Sequence, residues 1–280
     1  MNITITGASG FIGRHLLQSL AKAGHSLHTL SRHAPPAESL READVVIHLA
    51  GEPIAQRWTA EAKRRIRESR VAGTRNLMEA LATLTRRPDA LICASAIGYY
   101  GSRGDEILTE SSAPGSGFLP ELCVAWEREA QAAEALGMRV VRVRTGLVLD
   151  ARGGALPRML PPFRMGVGGR LGSGQQWMSW IHLEDLAALF QFAVESQIRG
   201  PLNGVAPYPV TNSDFTRELA RALRRPAVFP VPGFALRLLF GEMADVLLAS
   251  QRVAPGAAQA AGFRFRFPQL APALEGLLGR

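Results

Sequence analysis

Between Ile3 and Gly13 the chain reads I-T-I-T-G-A-S-G-F-I-G: a short apolar run, three glycines spaced G-x-x-G-x-x-G, and the start of an amphipathic pattern. No other feature narrows the choice of fold as far. Gly7 allows a sharp turn out of a strand, Gly10 a close approach of backbone to ligand, and Gly13 a helix lying tight on the sheet. The N–H groups that open such a helix, those of Phe11 and Ile12 among them, have no intrahelical acceptors and face whatever occupies the turn. A pyrophosphate suits that position, and the flanking strand and helix supply the context that a lone glycine triplet lacks.

Downstream, apolar runs alternate with helical patterns. Strands are predicted at 2–6, 26–31, 44–49, 90–95 and 139–145, and helices at 11–23, 59–85 and 119–136. The strands are apolar throughout, as sheets covered on both faces require, so the fold class is α/β, a Rossmann-type doubly wound parallel sheet. Beyond residue 150 the chain loosens into Gly- and Pro-rich loops, including G-V-G-G-R-L-G-S-G at 166–174. A strand near 178–182, a helix after His182 and a helix from Asn212 to about Leu223, capped by Asn212, suggest a smaller C-terminal α/β lobe. A boundary near 230 divides a dinucleotide-binding domain at 1–229, with substrate-lobe loops from about 150, from a small helical appendage at 230–280.

Composition removes several classes of function. The formal charge of +8 permits an acidic partner, and Lys63, Arg64, Arg65, Arg67 and Arg70 crowd one predicted helix. Glu61 and Glu68 are interspersed there and no nucleic-acid motif accompanies them, so a solvated helix face is expected and no nucleic acid. Two cysteines, Cys93 and Cys123, suggest neither a disulfide framework nor a metal site. No apolar run is long enough for a bilayer and the N-terminus enters a strand directly, so a cytoplasmic protein without membrane partners is expected.

The identity of the dinucleotide turns on the end of the second strand. NAD sites carry an acid there for the ribose 2′-hydroxyl. This chain has Ser31-Arg32-His33, and Arg32 can fork onto a 2′-phosphate while Ser31 adds a hydroxyl, which points to NADP(H). The third strand ends Val46-Ile47-His48-Leu49-Ala50-Gly51, where small residues let the backbone lie against the adenosine and ribose. His48 reads as a packed strand residue.

With T-G-A-S-G-F-I-G, H-L-A-G, A-G-T-R-N-L-M-E-A-L and Y-Y-G in place, the chain resembles the extended short-chain dehydrogenase/reductases. More narrowly it is similar to their atypical branch of NADP-binding sugar-nucleotide epimerases, which carries a small C-terminal domain of undefined function. G-E-P-I-A-Q-R-W at 51–58, E-S-R-V at 68–71, the run from Pro162 to His182 and L-N-G-V-A-P at 202–207 carry that match. The resemblance implies cofactor contacts at Ser31, Arg32, Ala50, Gly51, Glu52 and Arg70, and at the backbone near Leu147 and Val148. It also implies a homodimer formed through the two long helices.

The wider family transfers hydride with a tyrosine whose pKa is lowered by a lysine four residues on. Here Lys22 and Lys63 are the only lysines, and Tyr99, Tyr100 and Tyr208 the only tyrosines, so no Tyr-x-x-x-Lys exists. Leu122 and Trp126 stand where the dyad aligns, Ala96 where the helper serine aligns, and Arg70 where the asparagine aligns. Tyr100 and Ser95 are the best-placed hydroxyls for proton transfer, with Arg70 a candidate cation beside them; packing against cofactor and a strand-end hydrogen bond are their alternative roles.

Arg57, Trp58, Arg164, Trp177, Trp180 and His182 fall on segments expected to border the cleft and suit an anionic substrate with a flat or sugar-like part, such as a nucleotide-sugar. The tryptophans can instead pack loops, and His182 can instead start a helix. Two readings of function follow: an NADP-dependent oxidoreductase or epimerase with unusual acid/base groups, or a catalytically silent NADP(H)-binding protein.

Overall fold

The computed structural model describes residues 1–30 and 40–279. The first half runs β1 (Asn2–Thr6), α1 (Phe11–Lys22), β2 (Ser26–Leu30), β3 (Val45–His48), α2 (Ala60–Ala82), β4 (Ala90–Ala96), a 3-10 turn (Ile97–Tyr100), β5 (Ile107–Leu108), α3 (Phe118–Gln131) and β6 (Arg139–Thr145). The substrate-lobe region adds β7 (Leu147–Asp150), β8 (Gly153–Gly154), α4 (Leu156–Arg164), β9 (Trp177–Met178), β10 (Trp180–His182), α5 (Leu183–Glu195), β11 (Gly200–Gly204), β12 (Val210–Thr211) and α6 (Asn212–Leu223). The last segment holds α7 (Gly233–Phe240), α8 (Ala244–Leu248), β13 (Arg252–Val253), α9 (Gly256–Ala260) and α10 (Leu270–Leu278).

Six parallel strands pair in the order β11-β6-β4-β3-β1-β2. The chain steps from β1 to β2 on one side and returns to β3 on the other, which opens a crevice between the carboxyl ends of β1 and β3. Strand alternation sorts the two faces. Ile3, Ile5 and Ile47 pack with Leu16 and Leu20 of α1 and with Leu186, Leu189 and Phe190 of α5. Val46, Leu91 and Val140 pack on the opposite face with Leu77 and Leu81 of α2 and Trp126 of α3. Removing each of these large side chains from water contributes roughly 1.5–3 kcal/mol.

Several boundaries differ from the sequence expectation. The second long helix stops at Ala82, ahead of R-R-P. α3 tightens after Gln131 into a 3-10 turn that Gly137 ends at φ 85°. Thr211, not Asn212, caps α6, its hydroxyl accepting the Asp214 N–H at 3.1 Å. Asn212 is the first helical residue and accepts the Leu171 N–H instead, at 2.7 Å.

The expected appendage contains its helices, and its residues pack into the cores of the rest of the chain. Ala258 joins the core beneath α1 and α5, Leu270, Ala273 and Leu274 pack with Phe215 and Leu219 of α6, and Val253 sits with Tyr100. β13 pairs in parallel with β5, and Met243 packs beside Trp58, Phe118 and Leu122. The segment therefore wraps the molecule. Among the described residues no helix is long and apolar enough to cross a membrane.

Candidate functional site

The glycine turn borders the crevice with backbone. Gly7 adopts φ 73°, and a Cβ there would stand 2.7 Å from the Ala50 nitrogen. A Cβ on Gly13 would stand 2.4 Å from the Gly7 carbonyl oxygen, so α1 docks as closely as main chain permits. Gly10 caps α1 without a side-chain bond, the first turn carries no acid, and the first helical bond runs from the Arg14 N–H to the Gly10 carbonyl at 3.0 Å. The N–H groups of Phe11, Ile12 and Gly13 precede that bond and are available to an anion. The Phe11 ring packs on the β7–β8 hairpin, where a Cβ on Gly153 would fall 2.3 Å from it, leaving Phe11 its backbone to offer. Leu147 and Val148, half-buried on β7, belong to the same hairpin.

Across the crevice, His48 is buried and bridges two elements. Its Nδ1 lies 2.6 Å from Thr6 Oγ1 and its Nε2 3.0 Å from Thr74 Oγ1, and burial lowers its pKa to about 4. It is a packed strand residue, as expected. Ala50, Gly51 and Glu52 follow it, half-buried, and the Glu52 N–H donates to Ser69 Oγ at 3.0 Å. Arg70 reaches back from α2 to the same segment. Its Nη1 donates to the Glu52 carbonyl at 2.9 Å and to the Ile66 carbonyl at 3.3 Å, and its guanidinium lies 5.1 Å from the Trp126 ring centre. A Cβ on Gly51 would stand 3.1 Å from the guanidinium carbon, so the glycine makes room for the cation. Ser31 and Arg32 lie outside the described residues.

Beyond β3 the floor of the cleft rests on a buried polar network. Glu127 of α3 receives Arg144 of β6 through two bonds, 2.8 Å from Nε and 2.9 Å from Nη2, and accepts the Ser95 hydroxyl at 2.7 Å. Arg144 Nη1 also donates to the Tyr100 hydroxyl at 3.0 Å, which donates onward to Asn203 Oδ1 at 2.7 Å. Asn203 in turn donates to the Ala254 carbonyl at 2.9 Å. Tyr100 is 0% exposed and Ser95 4%. Both hydroxyls are thus buried and already hydrogen-bonded. Burial pushes the Tyr100 phenol up, against the pull of Arg144. The cation beside Tyr100 is Arg144 rather than Arg70. Cys123, also buried, has its thiol pushed up to about 12 by burial.

The six expected substrate residues do not converge. Trp180 is fully buried among Leu149, Leu160 and Phe215, donating to the Tyr208 carbonyl at 3.2 Å, because the lobe core needs its bulk. His182 is buried as the N-cap of α5, Nδ1 accepting the Glu184 N–H at 3.1 Å, and stacks on Phe267. Trp177 donates to Asp105 at 2.7 Å and carries Arg252 on its ring. Arg164 is exposed at the end of α4. Arg57 and Trp58 stand together on the loop after β3. Trp58 is turned inward, donating to the Ile54 carbonyl at 3.0 Å and packing edge-on against Phe118. Arg57 lies beside Gly241, and the neighbouring Glu242 pairs with Lys63. Arg158 of α4 holds the same loop through the Ala55 carbonyl at 3.0 Å.

The profile of the NAD dependent epimerase/dehydratase family matches residues 3–205. The chain belongs to that family. A second profile, a domain of unknown function (DUF1731), matches residues 231–277 of this family member. Epimerase family protein YfhF of Bacillus subtilis is 39% identical over 99% of this chain and 98% of its own length. The solved structure of human epimerase family protein SDR39U1 with NADPH superposes with a TM-score of 0.92 at 34% identity, covering 99% of both chains. A nucleoside-diphosphate sugar epimerase from Corynebacterium glutamicum is 38% identical with a TM-score of 0.83, covering all of this chain and 58% of that one.

This epimerase-family member thus offers a glycine turn with free amides, a cation at Arg70, and a floor whose hydroxyls are already engaged. Glu127, Arg144 and Asn203 are not among the residues expected from the sequence. One signal existed: R-V-V-R-V-R-T places Arg142 and Arg144 inside a strand covered on both faces, and a buried guanidinium requires a carboxylate nearby.

Proposed function

We propose that the chain binds NADPH across the β1/β3 crevice and acts as an oxidoreductase or epimerase on a small carbonyl-bearing molecule, nucleotide-sugars being the first class to test. The observation that carries this reading is the uncapped α1 N-terminus at a turn where Gly7 and Gly13 bring backbone too close for any side chain. The residues present fit the group. The α1 amides receive the pyrophosphate, Ser31 and Arg32 the 2′-phosphate, and Ala50, Gly51, Glu52, Arg70 and the backbone at Leu147 and Val148 the remainder. The human relative that carries NADPH, alike over 99% of its length, supports the choice of cofactor. Bound NADPH supplies a hydride. The protein's part is to orient the acceptor and exclude water, with Tyr100 and Ser95 building the floor rather than passing protons.

The test begins with fluorescence titration of NADPH and NADH. Comparable affinities, or an Arg32→Ala variant that keeps the full preference, would remove the 2′-phosphate assignment. A panel of nucleotide-sugars and small carbonyls is then added to protein-bound NADPH, with near-ultraviolet bleaching and product analysis as paired readouts. The closed Tyr100–Arg144–Glu127–Ser95 network favours a second reading, a silent NADPH-binding protein. NADPH left unbleached, with no epimerised product across the panel, supports that one.

A further inference from the structure

Arg70 forms no direct ion pair among the described residues, Glu52 acting on it only from a distance. It is half-buried, and among the described residues no carboxylate lies within ion-pair distance of it. Only Nη1 is committed, to the Glu52 and Ile66 carbonyls and more weakly to Ser69 Oγ at 3.5 Å. Nε and Nη2 have no hydrogen-bond acceptor among the described residues. Burying charge in this way costs stability and marks a place where something else is meant to meet it.

Position decides what that is. The guanidinium occupies the gap over Gly51, just past β3, with Trp126 of α3 behind it and Cys123 of α3 close by, the latter resting on Ala96 at the end of β4. A dinucleotide in this fold has its pyrophosphate on α1 and its 2′-phosphate end beyond β2, so its nicotinamide half runs over β3 and β4. Arg70 is on that side. The two carbonyls and the Trp126 face prevent it from swinging away.

Resting on the NADPH reading above, we infer that Arg70 makes this cleft select the reduced, uncharged nicotinamide over the oxidised, positively charged one. The two cofactor forms carry the same phosphates, so attraction between phosphate and guanidinium cancels from their ratio. What differs is one positive charge on the ring. A fixed guanidinium in a partly desolvated crevice repels that charge with little screening by salt. The protein therefore holds NADPH and releases NADP+, which favours hydride donation to an acceptor over hydride withdrawal from one.

The experiment is a pair of dissociation constants, for NADPH and for NADP+, measured by calorimetry on the full chain and on Arg70→Met, Arg70→Lys and Gly51→Ala. Wild type is expected to prefer NADPH by about tenfold. Arg70→Met should bring the ratio close to one and Arg70→Lys should retain most of it. Gly51→Ala, which pushes on the guanidinium through a Cβ, should move the ratio without removing any charge and gives an answer even where the methionine variant fails to fold. A merely structural arginine would weaken both forms equally, and an unchanged ratio in Arg70→Met or Gly51→Ala overturns the inference. Wild type that binds both forms equally overturns it alone; wild type that binds neither overturns the NADPH reading as well.

Discussion

The Tyr100 hydroxyl donates to Asn203 Oδ1 at 2.7 Å, tying the turn after β4 to β11 at the far edge of the sheet. The same oxygen accepts from Arg144. Tyr100→Phe strands both partners in a buried site and is expected to cost about 1–3 kcal/mol in urea unfolding. NADPH affinity should stay within about twofold of wild type, since the hydroxyl is buried beneath the cleft floor. A variant of native stability that lost all turnover would return this tyrosine to the chemistry.

Glu127→Gln should be worse. It leaves Arg144 buried beside a neutral amide, and breaking such a pair costs about 3–5 kcal/mol. The double variant Glu127→Leu with Arg144→Met removes both charges and should be destabilised by less than the two single changes added together, which a double-mutant cycle in denaturant would read.

Stability should fall on the acid side in a window set by His48. Its folded pKa, about 4, lies below the ordinary histidine value because burial penalises the charged ring. A lowered folded value means that the neutral form stabilises the fold. That contribution is complete above about pH 6.5 and is lost as the pH drops toward 4, by roughly 3 kcal/mol over the window. Burial lowers His182 as well, so part of the slope belongs there. His48→Gln should flatten the profile, and an unchanged slope between pH 6.5 and 4 would exclude the residue as its source.

Two glycine substitutions should act in opposite directions. Gly13→Ala drives a Cβ to 2.4 Å from the Gly7 oxygen, separating α1 from the turn. A loss of about 1–3 kcal/mol is expected, with weakened NADPH binding in titration. Gly276 lies in α10 with nothing within 4 Å of its would-be Cβ. Gly276→Ala should stabilise by roughly 0.5–1 kcal/mol and leave binding unchanged.

The parallel sheet was legible because its strands are continuous apolar runs and its first turn is glycine-marked; β6 spans residues 139–145 as expected. His182 at the head of a helix was legible too, from Glu184 and Asp185 behind it. What could not be read is contact at a distance. Arg144 and Glu127 are 17 positions apart and Tyr100 and Asn203 are 103, and no local pattern announces such pairs. The tryptophans show the same limit: Trp180 and Trp177 are three residues apart, yet one fills a core and the other grips Asp105 at the surface.

The wrapped C-terminal segment sets the order in which this protein can be completed. When residues 1–230 have left the ribosome, the cores around Phe215 and Tyr100 still lack Leu270, Leu274 and Val253, and the loop at Trp58 still lacks Met243. These apolar seams stay open until the residues from 231 onward arrive. A chain cut off before residue 231 is therefore expected to expose the apolar faces around Phe215, Tyr100 and Trp58.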